Sequence, residues 1–223
     1  ILFLTSCRDD NKAVKHASVE HEENVYEKIE AKDIRRVKIS GNARSIIIKQ
    51  DADTAFKFQN ADLNAAHTYD VRSSRNGDTL NISVMMKNGE EDNDVLGSFL
   101  IYLPRKEFDV IETAGEFKQI HINPIHSDIF LHADKSVVAL HLEAAKLDHD
   151  IVLDGSETNA FKSVSVYFDT VPASIKMEVN PIQNGSIQDP QHILDNGRLV
   201  SGTEKPVIRI HAAKEINLYK ENS

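Results

Sequence analysis

The chain has 223 residues, of which 40% are hydrophobic and 27% charged, with a formal net charge of −9. That length and composition suffice to bury a core and fit one domain, and they exclude a wholly disordered chain. The acidic balance, with no basic stripe carrying interleaved aromatics, argues against a nucleic-acid partner. A single cysteine, Cys7, allows no disulfide within the chain.

The first element is the oily run Ile1 to Leu4 followed by Thr5, Ser6 and Cys7. It reads as the end of a secretory apolar region meeting a small-residue cleavage site. "LTSC" resembles the bacterial lipobox, and the resemblance implies that the Cys7 thiol carries diacylglycerol and becomes the amino terminus after cleavage. Each buried methylene of such chains adds about 0.8 kcal/mol of membrane affinity, so two or three chains hold firmly where one would be marginal. Residues 1–7 are thus assigned to the signal end and lipobox. The alternative is an ordinary core cysteine in a first strand. Residues 8–24, "RDDNKAVKHASVEHEEN", contain two isolated valines and no sustained period, so they are expected to form a flexible tether. Asp9 and Asp10, just after the cysteine, are similar to the export signals of outer-leaflet lipoproteins in Bacteroidetes-type bacteria; a solvated charge run is the other reading.

From residue 25 to residue 223 the pattern is that of strands. "VKIS", "SIIIK", "FKF", "YDVRS", "LNISV" and "FLIYL" come first, short and rich in β-branched residues. The best helical stretch, "NADLNAAH" at 60–67, is brief. Asn76-Gly77-Asp78, Asn123-Pro124 and Asn196-Gly197 supply turn chemistry between the runs.

In the second half the strands repeat about every twenty residues. "FDVIE" at 108–112 is answered by "IFL" at 129–131, "IVL" at 151–153 and "IKMEV" at 175–179. A second set, "IHI" at 120–122, "ALHL" at 139–142 and "VSVYF" at 164–168, alternates with the first. Two strands per round at this period predict an all-β, single-domain β-solenoid, in which each coil buries its apolar face on the next. A β-sandwich is the alternative. Asp128 and Asp150 precede equivalent strands, where aspartate can satisfy a turning backbone. The closing "VIRIHAAKEINLY" reads as two strands around a short polar turn, suited to capping.

Strict alternation sends His121, His141 and Tyr167 outward while their neighbours point inward, which predicts a side-chain ladder on one outer face. With Asp148 and Asp150, which flank His149 in "LDHDI", these residues make the candidate ligand face. Spacings near twenty residues are no metal-ligand signature, so neither a metal nor another cofactor is expected. There is no G-x-S-x-G elbow, H-E-x-x-H, P-loop or G-x-G-x-x-G, and no catalytic residue is assigned. No tryptophan is present; Tyr69, Tyr102, Tyr167 and Tyr219 are the residues that could stack on a sugar.

Residues from about 29 to 219 resemble the putative-adhesin families of bacterial envelope proteins, including the GIN head domain of auto-transporter adhesins. The features that carry the likeness are "IRRVKISGNARSIIIKQD", the strand at Tyr69 to Val71, "GDTLNISV" at 77–84 and "FLIYLPRKEFDVIETAGEF" at 99–117. The chain departs from typical members in using His, Lys and Asp where they repeat glycine. The resemblance implies stacked β-coils on a lipid-anchored, non-enzymatic protein of the cell envelope. Such a protein would sit on the outer membrane, facing the periplasm or the exterior, and contact a surface protein or glycan. Self-association through exposed coil ends is a further expectation. A carbohydrate-binding or carbohydrate-cleaving protein, with its groove near Asp148, Asp150 and Tyr167, is the competing reading.

Overall fold

A computed structural model describes residues 28–61, 69–87, 97–172, 175–194, 200–201 and 204–221. Cys7, the segment 8–24 and residues 62–67 of the stretch expected to be helical at 60–67 lie outside the described residues, while Asn60 ends a strand. The strands begin with β1 (Ile29–Glu30), β2 (Arg36–Gly41), β3 (Ser45–Asp51), β4 (Ala55–Asn60), β5 (Tyr69–Asn76), β6 (Thr79–Met86) and β7 (Phe99–Pro104). They continue with β8 (Val110–Gly115), β9 (Gln119–Ile122), β10 (Ile129–His132), β11 (Val137–Leu142), β12 (Ile151–Asp154) and β13 (Ser163–Phe168). Last come β14 (Ile175–Gln188), β15 (Val200–Ser201) and β16 (Glu204–Lys220). The all-β expectation is borne out.

Between residues 108 and 168 the chain visits two rows in turn. β8, β10 and β12 pair in parallel in one row; β9, β11 and β13 do so in the other. The first strands join the same rows, β2 beside β8 and β3 beside β9. Register follows the aliphatic pattern. Val37, Ile111, Ile129, Ile151 and Ile208 form one paired column, and Ile46, Ile120, Val138, Val164 and Ile216 form another. All ten are buried, and each aliphatic side chain taken from water contributes about 1.5–3 kcal/mol. One layer alone could not hide this surface; the stacking of successive strands does.

The strands together make a single mixed sheet that does not close on itself. Among the described residues, antiparallel pairing, on which the sandwich alternative rests, is confined to β1 with β4, β4 with β7, β5 with β6, and β14 with β15.

The C-terminal end departs from the expected order. "IKMEV" does not follow "IVL"; the partner of Ile151 to Leu153 is Ile208 to Ile210, and Met177 to Val179 lie on the far side of those residues. "VIRIHAAKEINLY" is not two capping strands around a turn. It lies within one strand, β16, which pairs with β12 through its first part and with β13 through its second, bending at Ala212 with φ of +58°. β14 covers it along both rows, so the outer layer is supplied by the earlier segment.

One corner between the rows is built from small residues. Gly41 and Gly115 are paired across β2 and β8, and Gly41 has φ of +134°. A Cβ on Gly41 would lie 2.0 Å from the carbonyl oxygen of Val84, and one on Gly115 would lie 2.4 Å from that of Gly41. The chain is sparing with glycine, and it keeps these two where backbones approach too closely for any side chain.

Candidate functional site

The outer face of the second row carries the aromatic ladder. His141 and Tyr167 are directly paired across β11 and β13, and Tyr167 and Tyr219 across β13 and β16. Their rings stack, with centroids 4.8 Å apart for the first pair and 5.5 Å for the second. His141 Nδ1 donates to Glu221 Oε1 over 2.6 Å. His121 is placed differently from the expectation: its direct partner is Ala139, so it stands one pleat away from His141. Burial lowers its pKa, and the nearby His141 lowers it further. With His141 on one side and Tyr219 on the other, Tyr167 has neither ring face open to a sugar. This ladder satisfies itself.

The other candidates, Asp148 and Asp150, sit at the turn into β12, and no hydrogen bond joins them among the described residues. Asp150 is engaged with backbone: its Oδ1 accepts the Val207 N–H at 2.8 Å, and its own N–H donates to Asp128 Oδ1 at 2.9 Å. The two aspartates thus hold successive layers together at one corner. Asp148 is exposed and accepts from His149 Nδ1 at 3.0 Å, a bond that lowers its pKa. His149, its side chain 9% exposed, lies against His126, with ring centroids 6.3 Å apart, beside a cavity of about 10 Å³. That space holds one water at most, so it is no ligand pocket. We expect Asp150→Ala to lower stability by about 1–3 kcal/mol, because it strands the Val207 N–H, while Asp148→Ala shifts it by less than about 0.5 kcal/mol; urea midpoints check both.

On the outer face of the first row, opposite charges match across strands. Lys38 meets Glu112 at 3.2 Å, and Arg209 meets Glu178 at 2.7 Å. Hydrogen bonds from Arg209 and Lys176 hold the Glu178 carboxyl below the ordinary glutamate range. A depressed folded pKa gives stabilisation that is present above the unfolded value and lost as pH falls through the folded one. Glu178→Gln should therefore flatten the acid limb of a stability-against-pH curve and leave the limb above neutrality unchanged, as read from thermal midpoints between pH 7 and about pH 3.

A third region escaped sequence reasoning. An open groove of about 560 Å³ runs along the corner where the chain enters the second row, lined by Arg44, Lys118, Lys135, Lys162, Glu116 and Asp134 among others. Backbone bonds tie the layers there: Gln119 N–H to Arg44, Val137 N–H to Lys118, Lys162 N–H to Ser136, and Lys214 N–H to Phe161. A signal was present in the sequence. Arg44, Lys118 and Lys162 each stand two residues before the first inward aliphatic of their strand, Ile46, Ile120 and Val164, and Lys214 stands in the same relation to Ile216 within β16. Among the described residues, no three His, Cys, Asp or Glu side chains are gathered so as to hold a metal ion.

No protein-family model matches the chain, and no curated protein is similar to it in sequence. Two crystal structures are similar in shape, each at 12% identity. A putative cell adhesion protein from Clostridium sporogenes matches over 87% of this chain and 97% of its own length, with a TM-score of 0.50. A putative adhesin from Bacteroides fragilis matches over 87% and 94%, with a TM-score of 0.33. What this chain shares with the first of them is an all-β fold.

Proposed function

We propose that the chain is a non-enzymatic, lipid-anchored protein of the bacterial cell envelope whose stack of β-coils makes contact with another surface component. The observation that carries this reading is the form of the accessible surface. Matched side chains extend over several successive strands, and the large groove is an open trough along a corner. Such a surface suits an extended partner. The adhesin-like shape and the lipobox-like "LTSC" ending in Cys7 point the same way.

Intact-mass measurement of protein extracted from its native membrane tests the anchor. It should show diacylglycerol on Cys7, and an unmodified chain would overturn that part of the reading. Limited proteolysis of whole cells then distinguishes an outward from a periplasmic placement. Incubation with a polysaccharide panel should release no product; a released oligosaccharide would return the assignment to a carbohydrate-cleaving protein.

A further inference from the structure

We propose that the corner groove bearing Lys118, Lys135 and Lys162 binds a linear anionic glycan, one carrying a carboxylate or sulfate on successive sugars. Elsewhere on this molecule a cation on one strand meets a carboxylate on the next, as Lys38 meets Glu112 and Arg209 meets Glu178. At this corner the column runs Arg44, Lys118, Ser136, Lys162 and Lys214, with Lys135 one residue before Ser136. Like charges on neighbouring strands repel and weaken a sheet. Among the described residues, Lys118, Lys135, Lys162 and Lys214 take part in no ion pair, and all four are exposed. Three of those lysines, Lys118, Lys135 and Lys162, line the groove beside two carboxylates, Glu116 and Asp134, that form no ion pair with them, in a chain whose net charge is −9. Fold stability gives no reason for this arrangement; a negatively charged occupant does.

Spacing selects the class of occupant. The cations follow the stacking direction, so they are set by the separation of paired strands, about 4.8 Å per layer. That step is close to the length of one sugar ring in an extended chain. An extended acidic peptide presents its same-side groups about 6.6 Å apart, twice the rise per residue. In duplex DNA the phosphates of a strand wind around the axis, rising about 3.4 Å each, so they do not follow a straight column of layers, and the acidic remainder of the surface repels a duplex. Lysine fits the role as a mobile point charge that can follow a flexible polymer. An occupant of this corner does not call on Tyr167, whose ring faces are covered by His141 and Tyr219, or on Asp150 Oδ1, which already accepts the Val207 N–H.

This inference rests on the reading of the body as a contact surface, but it does not depend on the anchor. The test uses the purified full chain, titrated with fluorescent oligogalacturonate, a heparin oligosaccharide, neutral dextran, an oligothymidylate and anionic lipid vesicles. One or both anionic glycans should bind at least about tenfold more tightly than dextran or the oligonucleotide, with affinity falling as salt rises. Lys118→Glu with Lys162→Glu should abolish that binding. Lys118→Gln with Lys162→Gln should weaken it about threefold or more. The charge-matched Lys28→Glu with Lys32→Glu, at exposed positions away from the groove, should leave it within about twofold. Circular dichroism checks that every variant is folded. Equal binding of dextran, tighter binding of the oligonucleotide or the vesicles, or an equal loss in the Lys28 and Lys32 variant would each overturn the proposal. Failure here leaves the anchor and the surface placement to be judged by the mass and proteolysis measurements.

Discussion

Gly41→Ala should be the most damaging single substitution in the described fold, costing at least about 3 kcal/mol and leaving the chain largely unfolded in mild urea. Two independent effects combine at this residue. Its φ of +134° is one that an L side chain rarely adopts, and the added carbon would lie 2.0 Å from the Val84 carbonyl oxygen. That oxygen belongs to the neighbouring strand, whose position is fixed by the pairing of β2 with β6, so it cannot move without breaking the ladder. Gly115→Ala should be damaging for the second reason alone, the carbonyl of Gly41 being 2.4 Å away. Gly77 is the informative contrast. It also has positive φ, +61°, but nothing lies within 4 Å of a Cβ built there, so Gly77→Ala should cost only about 1 kcal/mol. Urea denaturation of the three variants separates close approach from backbone preference. A Gly41→Ala protein with a near-native midpoint would show that β2 and β6 are not packed as described.

The second large effect is expected from two adjacent residues on opposite faces of β13. Phe168 is fully buried, whereas Tyr167 stands outside between His141 and Tyr219. Phe168→Ala removes a ring from the core and should cost about 3–5 kcal/mol. Tyr167→Ala removes two partly exposed stacking contacts and should cost about 1 kcal/mol. Comparable losses for the pair would contradict the assignment of inner and outer faces.

The strands and their faces could be read from sequence because both rest on local pattern. Ile129, Leu131, Ile151 and Leu153 alternate with partly exposed neighbours at a period of two, and any sheet must bury them on one side. The partner of each strand was legible only where successive rounds have similar length, as in β8, β10 and β12. His121 shows the limit well. A slip of two residues in a parallel ladder leaves every side chain on its own face, so alternation cannot distinguish His141 from Ala139 as its neighbour. The order of β12, β16 and β14 was hidden for a related reason: parallel pairing between distant segments has no turn to fix it. The basic corner was missed because its members look like unrelated loop lysines until the strands are set in register.

The antiparallel strands at the margins of the sheet have a consequence for how tall this body can grow. A column of near-identical parallel tiers contains no instruction to stop, and its last tier offers the same hydrogen-bonding edge as every other. In this chain β5 runs against β6, β4 against β7, and β15 against β14. Reversing direction at β5, at β4 and over the first part of β14 replaces the repeating parallel edge at those places with antiparallel pairing of different donor and acceptor spacing. The same polypeptide that builds the parallel columns thereby also supplies the strands that break their repeat.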